Sequence, residues 1–513
     1  MQQEKISADF SSLAIVLTPI SYKQDPRHSY WRTELEKKFE FVEVWQFLSS
    51  GSLTTSNKAG IAVAVGTEDR DVLDLEASLS SSLNQIYSYL RSSNDENLKV
   101  LQAVVDQFSN KNSITHKYLL GQVARMTASL ALASTIKSPA LVVANDLVAA
   151  IAAVLVWPNG ETRIVYDAQE VFIDMYKSSP ADRMTESEET YWLGLESFVC
   201  SAVDEVVTIS PGIAELYLER HGVSPFVLPN WVPLSSADFA KASDQGPTRF
   251  VYMGHAAPHR GLEELITLWT SDKSTATLDL FIPERPYTQD LRKLIERHSK
   301  EFPEVAIALR DPVSESQMIH TLSGFDVGVI PYAHPYPYNH CSPNKLGQYL
   351  AAGLAIVSND LPFVKQTINE ARCGHIFDWQ IPGSFDKCVP LFVADKQIDE
   401  LKENARTAFL SGRNWDAVIQ KWDQETSALV PDDNTRVNQD WANSFVDLAT
   451  YPDNHDQIIA IVGPGRLTFK HAMVSALGRI GLRDNVQTRR VFMQLSKVPV
   501  IGGVAKKIAK SLI

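Results

Sequence analysis

The sequence has few cysteines, no uninterrupted apolar run long enough to span a bilayer, and no overall excess of positive charge. Its four cysteines are scattered and form no C-x-x-C pair, which argues against a disulfide framework or a zinc site and fits a reducing compartment. The longest apolar stretch, 140–157, carries Asn145 and Asp146 inside it, so a buried strand followed by a buried helix explains it better than a membrane span. Residues 1–9 are polar and include acids, so no signal peptide is expected.

Charge is distributed unevenly along the chain. The formal net charge is −13, whereas residues 466–513 contain ten Lys or Arg and one acid, a balance of +9. The rest of the chain therefore carries about −22. An acidic body is a poor partner for nucleic acid, because nucleic-acid affinity depends on the neutralisation of phosphates. A basic tail on such a body predicts a local anionic partner instead.

The hydrophobic pattern predicts an α/β fold with two Rossmann-like domains. Apolar runs of strand length alternate with helical patterns in two series, separated by a Pro-, Ser- and Ala-containing segment at 229–247. The predicted strands are 13–17, 41–45, 61–65, 140–144, 163–167 and 206–209 in the first series and 249–253, 277–282, 305–308, 326–330 and 354–358 in the second. Doubly wound sheets bind ligands at the carboxyl ends of their strands, so the expected site is a cleft between two such edges.

Four segments follow from this pattern. The predicted boundaries are a first α/β domain at 1–235 that includes a helix-rich segment at 68–137, a second α/β domain at 236–412, a helix at 413–430 and a basic, helical C-terminal extension at 431–513.

The most informative motif lies within residues 325–374. Ser342 and Pro343 are predicted to open a helix, the serine with a capping hydroxyl and the proline with its fixed φ, and Gly353 is predicted to end it. Lys345 falls in the first turn, where the helix dipole favours an acid. A cation at this point is explained if a phosphate binds the helix N-terminus. The alternative is an ordinary strand-to-helix turn with a solvated lysine.

This motif resembles the donor-binding signature of retaining GT-B glycosyltransferases, in particular glycosyltransferase family 4. The family's version reads roughly S-P-x-K-L-x-E-Y-L-A-A-G-x-P-V-V. The matching positions here are Ser342, Pro343, Lys345, Leu346, Tyr349, Leu350, Ala351, Ala352 and Gly353. Other similarities follow in the family's order, at 25–27, 144–146, 165–170, 195–196, 203–204, 208–210, 228–230, 252–254, 260–262 and 414–416. The resemblance covers about residues 11–50 and 138–430.

The resemblance implies a GT-B fold, with two Rossmann-like domains facing across a cleft, and transfer of a sugar from a nucleoside-diphosphate sugar without cofactor or metal. Family members direct two basic side chains at the diphosphate, and the matching positions are Arg260 and Lys345, the expected catalytic residues. Such cations are needed because the leaving diphosphate gains negative charge in the transition state. A surface residue in a Gly-rich turn is the alternative for Arg260.

Five further residues are the predicted donor-binding set. Gly254 ends the first strand of the second domain, where the backbone must pass close to a ligand. Ser342 is expected to cap the helix, to bind phosphate, or both. Gln348 lies one turn beyond the lysine, and its family counterpart is a Glu that holds the ribose hydroxyls. Asn344 and His340 complete the set.

Four departures from the family pattern leave the activity open. The two acids of the family's E-x7-E motif become His340 and Gln348, the His of its VYD-x-HE strand end becomes Gln169, and the basic residue after the strand-end glycine becomes His255. Each change weakens a charge interaction near the transferring sugar. The alternatives are therefore an altered donor choice or weak activity, a non-catalytic GT-B partner subunit, and another GT-B activity such as sugar-nucleotide epimerisation.

The acceptor-side candidates lie in the first domain. Asp25 and Arg27 follow the first strand, where family members often contact the acceptor, and a simple surface ion pair between them is the alternative. Gln169 and Glu170 lie at a strand end, where the carboxylate is either a site residue or a helix cap. The D-x-D sequence at 69–71 is similar to the metal-binding mark of the GT-A fold, but it is interpreted as a solvated helix start, so no metal site is predicted.

The C-terminal residues form a basic amphipathic pattern. One face carries Ile501, Val504, Ile508 and Leu512, and the other carries Lys506, Lys507 and Lys510. Such a helix either lies on an anionic membrane through residues 491–513 or packs on the protein. The predicted function is a cytoplasmic hexosyltransferase, peripheral on the inner face of the plasma membrane if the first alternative holds, whose acceptor is a cell-envelope glycan or a glycolipid. The sequence specifies neither the base, sugar, acceptor and linkage nor the oligomeric state.

Overall fold

The computed structural model of the chain consists of two compact units. Unit 1 comprises residues 1–207, 214–226 and 429–513, and unit 2 comprises 208–213 and 227–428. The residues that the structure describes are 13–19, 25–47, 53–56, a set of helical residues between 115 and 130, 139–157, 162–177, 184–239, 246–270, 275–332, 338–393 and 397–426. The predicted strand at 61–65, most of 68–137, the D-x-D sequence and the basic tail lie outside the described residues.

Unit 1 is built on a seven-stranded sheet with the order β3-β2-β1-β4-β5-β6-β7. Its strands are β1 (Leu13–Thr18), β2 (Phe41–Phe47), β3 (Leu53–Ser56), β4 (Leu141–Asn145), β5 (Arg163–Ala168), β6 (Glu205–Thr208) and β7 (Phe226–Val227). β1 pairs in parallel with β2 and β4, β4 pairs in parallel with β5, and β3 runs antiparallel to β2. β1 and β4 are buried throughout, as expected of central parallel strands that are covered on both faces.

Besides the helical residues between 115 and 130, five helices accompany this sheet in the described residues of the first part of the chain. They are α1 (Pro26–Leu35), α2 (Leu147–Val156), α3 (Phe172–Lys177), α4 (Glu186–Ala202) and α5 (Pro211–His221). The long apolar run forms β4 and then α2, which confirms the prediction of a buried strand followed by a buried helix. Asp146 separates the two elements and caps α2, because its carboxylate accepts from Leu147 N at 2.5 Å.

Unit 2 is built on a six-stranded sheet with the order β10-β9-β8-β11-β12-β13, and each of its pairs is parallel. Its strands are β8 (Thr248–Met253), β9 (Ala276–Phe281), β10 (Ala306–Arg310), β11 (Val327–Ile330), β12 (Ala355–Asn359) and β13 (Gly374–Phe377). Its helices are α6 (Leu262–Thr267), α7 (Pro286–Glu301), α8 (Glu315–Ser323), α9 (Asn344–Ala352), α10 (Pro362–Ala371), α11 (Ser384–Val393), α12 (Gln397–Leu410) and α13 (Trp415–Thr426).

The predicted strands that fall on described residues are confirmed, with ends that differ by a residue or two. Three strands, β3, β7 and β13, were not predicted. β7 has two residues, β3 contains three hydroxyl side chains in four residues, and β13 begins with Gly374 and His375. Such segments become strands because a neighbouring strand offers backbone partners, and their own side chains carry little strand signal. None of the described helices is long and apolar enough to cross a membrane.

Candidate functional site

Helix α9 begins at the predicted motif but with a different cap. Pro343 occupies the N-cap position with φ −66° and ψ 136°, and no side chain caps the helix. The prediction that Ser342 caps it is wrong, because the Ser342 hydroxyl accepts from the backbone N of Asn230 at 3.4 Å instead. The Ser342 carbonyl also accepts from Asn230 Nδ2 at 2.9 Å. Gly353 ends the helix with φ 68°, as predicted.

Two glycines let α9 pack closely on its surroundings. A Cβ at Gly347 would lie 2.5 Å from Asn230 O, so the helix backbone rests directly on that segment. A Cβ at Gly328 in β11 would lie 2.3 Å from the ring of Tyr349, which fills that space. The Tyr349 hydroxyl donates to Val329 O at 3.2 Å. The first turn of α9 is therefore held in a fixed place beside β11.

Lys345 is buried at the second position of this helix, with 8% of its surface exposed. Its Nζ lies 4.6 Å from the centre of the Tyr252 ring and 5.7 Å from the centre of the Tyr332 ring. No acid among the described residues forms an ion pair with it. Burial, and then the charge of Arg260, lower the pKa of Lys345 to about 7. Because a desolvated cation without an acid is costly, this arrangement favours the binding of an anion.

Gly254 is fitted to this lysine. It follows β8 with φ 142°, a conformation that favours glycine. A Cβ at this position would lie 2.6 Å from Lys345 Nζ. The Tyr252 hydroxyl donates to His255 O at 2.7 Å and so ties the end of β8 to the following loop. The backbone at this strand end therefore leaves the space that the ammonium group occupies.

Arg260 lies beside the same group. It ends a 3₁₀ turn, Pro258–Arg260, which Gly261 follows with φ 69°. The Arg260 guanidinium carbon is 4.5 Å from the centre of the Tyr332 ring. Both cations that the sequence singled out therefore contact one tyrosine ring, although they are 85 residues apart in the sequence.

Three residues of this group were not predicted as site residues: Tyr252, Tyr332 and Arg285. Arg285 precedes α7, and its charge acts on His255, whose pKa is lowered by desolvation first and then by Arg285, Lys345 and Arg260. Gly254, Tyr332 and Arg285 follow β8, β11 and β9, which are neighbouring parallel strands. Ligands bind at this edge of such sheets. The position of Tyr332 and Arg285 shortly after predicted strands was the signal that could have identified them, whereas Tyr252 lies inside β8 and carried no such signal.

The other predicted donor-binding residues lie on α9 or just before it. Gln348 is 8% exposed and lies one turn after the lysine, so the two share one side of the helix. Asn344 is exposed at the first helical position. His340 ends the 3₁₀ turn Tyr338–His340, and its carbonyl accepts from the Ser210 hydroxyl.

In unit 1, Arg27 is buried and bound to a residue far along the chain. Its Nε and Nη2 donate to the two carboxylate oxygens of Asp167 at 2.7 and 2.8 Å, and Trp31 Nε1 donates to the same carboxylate at 2.7 Å. Asp25 instead caps α1 by accepting from Arg27 N at 2.9 Å. The interpretation of Asp25 and Arg27 as a surface ion pair is therefore wrong.

Gln169 and Asn145 link the carboxyl ends of three strands of unit 1. Gln169 Nε2 donates to Asn145 Oδ1 at 3.2 Å, and Asn145 Nδ2 donates to Leu17 O at 3.2 Å. Glu170 is exposed next to them. Burial first, and also the charges of Glu170 and Glu196, raise the pKa of Asp146 to about 7, against the hydrogen bond from Leu147 N. The same strand end thus presents an amide, a carboxylate and a carboxyl group that titrates near neutral pH.

A second polar cluster in unit 1 is enclosed. The carboxylate of Glu196, which is 2% exposed, accepts from the hydroxyls of Tyr166 and Tyr217 and bonds to His221 Nε2 at 3.1 Å. Although burial opposes it, these partners lower the pKa of Glu196. The cluster joins α4, α5 and β5. Among the described residues, no group of three or more His, Cys, Asp or Glu side chains could hold a metal ion.

Comparison with solved structures identifies the fold. α,α-Trehalose 6-phosphate synthase of Burkholderia multivorans superposes with a TM-score of 0.55 at 12% identity, covering 82% of this chain and 99% of that protein. The α,α-trehalose-phosphate synthase (UDP-forming) of Burkholderia vietnamiensis gives a TM-score of 0.52 at 12% identity, covering 82% of this chain and 97% of that protein. No protein-family profile and no curated protein matches the sequence.

At such identities the likeness establishes the fold alone. The chain has the GT-B glycosyltransferase fold, with one mostly parallel sheet in each unit, as the sequence predicted.

Proposed function

We propose that the protein is a retaining glycosyltransferase that moves a hexose-type sugar from a nucleoside-diphosphate sugar to a cell-envelope glycan or a lipid-linked acceptor. The observation that carries the proposal is the pairing of Arg260 and Lys345 on the Tyr332 ring, at the carboxyl edge of the unit 2 sheet. The GT-B fold of the chain supports it.

The chemistry needs what these residues offer. As the bond between sugar and diphosphate breaks, negative charge grows on the leaving oxygen, and cations already in place lower the barrier. Lys345 and Arg260 would hold the diphosphate together with the backbone N–H groups at the start of α9. Gln348, on the same side of α9, would bind the ribose by accepting from a hydroxyl. Retention is explained by front-face attack, which requires no nucleophilic side chain.

A ligand screen followed by product analysis tests this function. The purified protein is heated with a panel of sugar nucleotides, and a binder raises the unfolding temperature because it stabilises only the native state. The best donor is then incubated with lipid-linked and soluble glycans, and NMR gives the anomeric configuration of the product. A product with the donor's configuration supports the proposal. Inversion, or no binding to any diphosphate nucleotide, would contradict it.

The acceptor side is proposed to lie at the strand ends of unit 1. Glu170 is exposed beside Gln169, and the half-buried carboxyl group of Asp146 titrates near neutral pH at the same edge. Hydroxyl groups of a sugar are the kind of ligand that such amide and carboxyl groups bind. Asp25 and Arg27 are assigned to the structure of unit 1 instead, because Arg27 is buried and bound to Asp167, and Asp25 caps α1.

Two observations favour a second function, that of a non-catalytic GT-B partner of an active transferase. Gln169 replaces the family's histidine, and its amide is bonded to Asn145. The environment of His255 favours its neutral form, because its pKa is lowered. An assay of sugar transfer separates the active transferase from the partner subunit. A partner subunit would show no transfer with any donor that it binds, and activity would appear only when a second protein is added.

A further inference from the structure

Tyr332 is the residue at which the two cations meet. Arg260 Cζ lies 4.5 Å and Lys345 Nζ lies 5.7 Å from the centre of its ring, both within the range of a cation–π interaction. Its side chain is almost fully enclosed, with 2% exposure. Neither the fold nor the family signature assigns a role to this position.

The backbone around this ring is fixed by two side chains from neighbouring elements. Asn359 Nδ2, at the end of β12, donates to Tyr332 O at 2.6 Å. Trp379 Nε1, which follows β13, donates to Pro331 O at 2.9 Å. The ring thus stands at a defined place beyond β11, and a cation that rests on it is confined in the same way.

An aromatic ring has an advantage over an acid at this position. A carboxylate would hold the two cations more strongly, but it would also neutralise them and compete with an incoming diphosphate. A ring face stabilises a cation by about 0.5–2 kcal/mol and carries no net charge. The ring can therefore hold the two cations near each other in the free protein without competing with an incoming anion for them.

We propose that Tyr332 is a positioning residue that sets the separation of Arg260 and Lys345 for the two phosphates of a diphosphate. The inference rests on the proposed function, since it concerns the same site. The ring face, and not the phenolic hydroxyl, performs this role. Replacing Tyr332 by Phe therefore preserves it, whereas an aliphatic side chain of similar bulk does not.

A double-mutant comparison by isothermal titration tests the proposal, with inorganic pyrophosphate and UDP as probes at pH 6.5. Tyr332→Phe and Tyr332→Leu are made in the unchanged protein and again in a background that carries Arg260→Ala and Lys345→Ala. In the unchanged protein, Tyr332→Leu should weaken pyrophosphate binding about tenfold, the value for two cation–π contacts of middling strength. Tyr332→Phe should stay within about twofold. In the background without the two cations, neither change should weaken the remaining UDP binding further.

Each other result overturns the inference in a recognisable way. Wild-type affinity in Tyr332→Leu would show that the ring does not hold the cations. Equal losses in the Phe and Leu variants would assign the effect to the hydroxyl, and an equal loss in both backgrounds would make the residue merely structural. If Tyr332→Leu does not fold, Tyr332→Met takes its place in the same comparison. Absence of binding by the unchanged protein would remove the proposed function together with this inference, whereas the other results leave the function standing.

Discussion

Gly254, which follows β8, leaves the space that the ammonium group of Lys345 on α9 occupies. A Cβ at residue 254 would stand 2.6 Å from the lysine Nζ, and the backbone there has φ 142°. The glycine thus serves the cation directly, as well as permitting the strand to end in this conformation.

Gly254→Ala should weaken the binding of UDP by at least about tenfold, because the new methyl group displaces the ammonium group from its place. The matched control is Gly246→Ala, since Gly246 has φ 135° and no heavy atom within 4 Å of the added Cβ. Both variants carry the backbone strain of a non-glycine residue at positive φ, which costs about 1–3 kcal/mol. If titration calorimetry finds equal affinities for UDP in the two variants, the close approach of residue 254 to the lysine does not matter for binding.

Arg260→Ala and Lys345→Ala should each lower kcat/KM for the sugar-nucleotide donor by more than about tenfold while the fold survives. Each change removes a cation that would stabilise the leaving diphosphate, and loss of one such group costs roughly 2.7–4 kcal/mol in related electrostatic sites. Lys293→Ala is the control, because the Lys293 side chain is 71% exposed. Steady-state kinetics with circular dichroism checks the outcome, and wild-type rates in both variants would count against the assignment.

Lys345→Met should stabilise the free protein below pH 7. Because the pKa of Lys345 falls from 10.5 to about 7 in the folded state, the buried charge costs on the order of a few kcal/mol there. Between pH 7 and 10.5 the unfolded chain binds more protons than the folded one, so the stability of the unmodified protein rises with pH. The stability advantage of the Lys345→Met variant over the unmodified protein therefore becomes smaller. Melting temperatures of the variant and the unmodified protein at pH 6 and pH 9 measure this advantage.

The control for this pH comparison is Lys293→Met, an exposed lysine changed to the same residue. It should alter the melting temperature little and to the same extent at both pH values. A gain from Lys345→Met that does not shrink between pH 6 and pH 9 would mean that the lysine carries no charge penalty in the fold.

The buried pair of Arg27 and Asp167 should be needed for stability. Arg27→Met leaves the Asp167 carboxylate without its charged partner and should cost about 3–5 kcal/mol, the usual value for breaking a buried pair from one side. The exposed pair of Arg292 and Glu284 provides the control, because Arg292→Met should cost less than about 1 kcal/mol. Urea denaturation, monitored by tryptophan fluorescence, compares the two variants. Similar unfolding midpoints for Arg27→Met and Arg292→Met would refute the structural assignment of Arg27.

Deletion of residues 491–513 should move the protein from the membrane fraction to the soluble fraction. At helical spacing, residues 500–513 place apolar side chains on one face and lysines on the other, and each Lys or Arg near an anionic surface contributes about 1 kcal/mol. Cell fractionation with immunoblotting measures the shift. An unchanged distribution would leave the tail without a role at the membrane.

The local signals of the sequence predicted much of the fold. Central strands such as β1 and β4 were visible because both of their faces are buried and their apolar runs are continuous. The end of α9 was visible because Gly353 adopts φ 68°, where glycine carries no steric penalty. Lys345 stood out because it is a cation in the first turn of a helix.

Contacts between distant residues could not be predicted in this way. The partner of Arg27 is Asp167, 140 residues along the chain, and the Ser342 hydroxyl bonds to Asn230, 112 residues before it. The sequence pattern favoured nearer partners, namely Asp25 for Arg27 and the N-terminus of α9 for the Ser342 hydroxyl. β3 and β13 became strands because β2 and β12 gave them backbone partners.

The amino-acid sequence by itself determined the two α/β units and the identity of the two basic residues, because burial periodicity, helix ends and a cation in an unfavourable position are local properties. The tertiary structure decided that Arg260 and Lys345 share the ring of Tyr332, and that Arg27 is buried on Asp167. These pairings depend on which strand ends lie side by side in a sheet, and the order of strands follows from the packing of the whole chain.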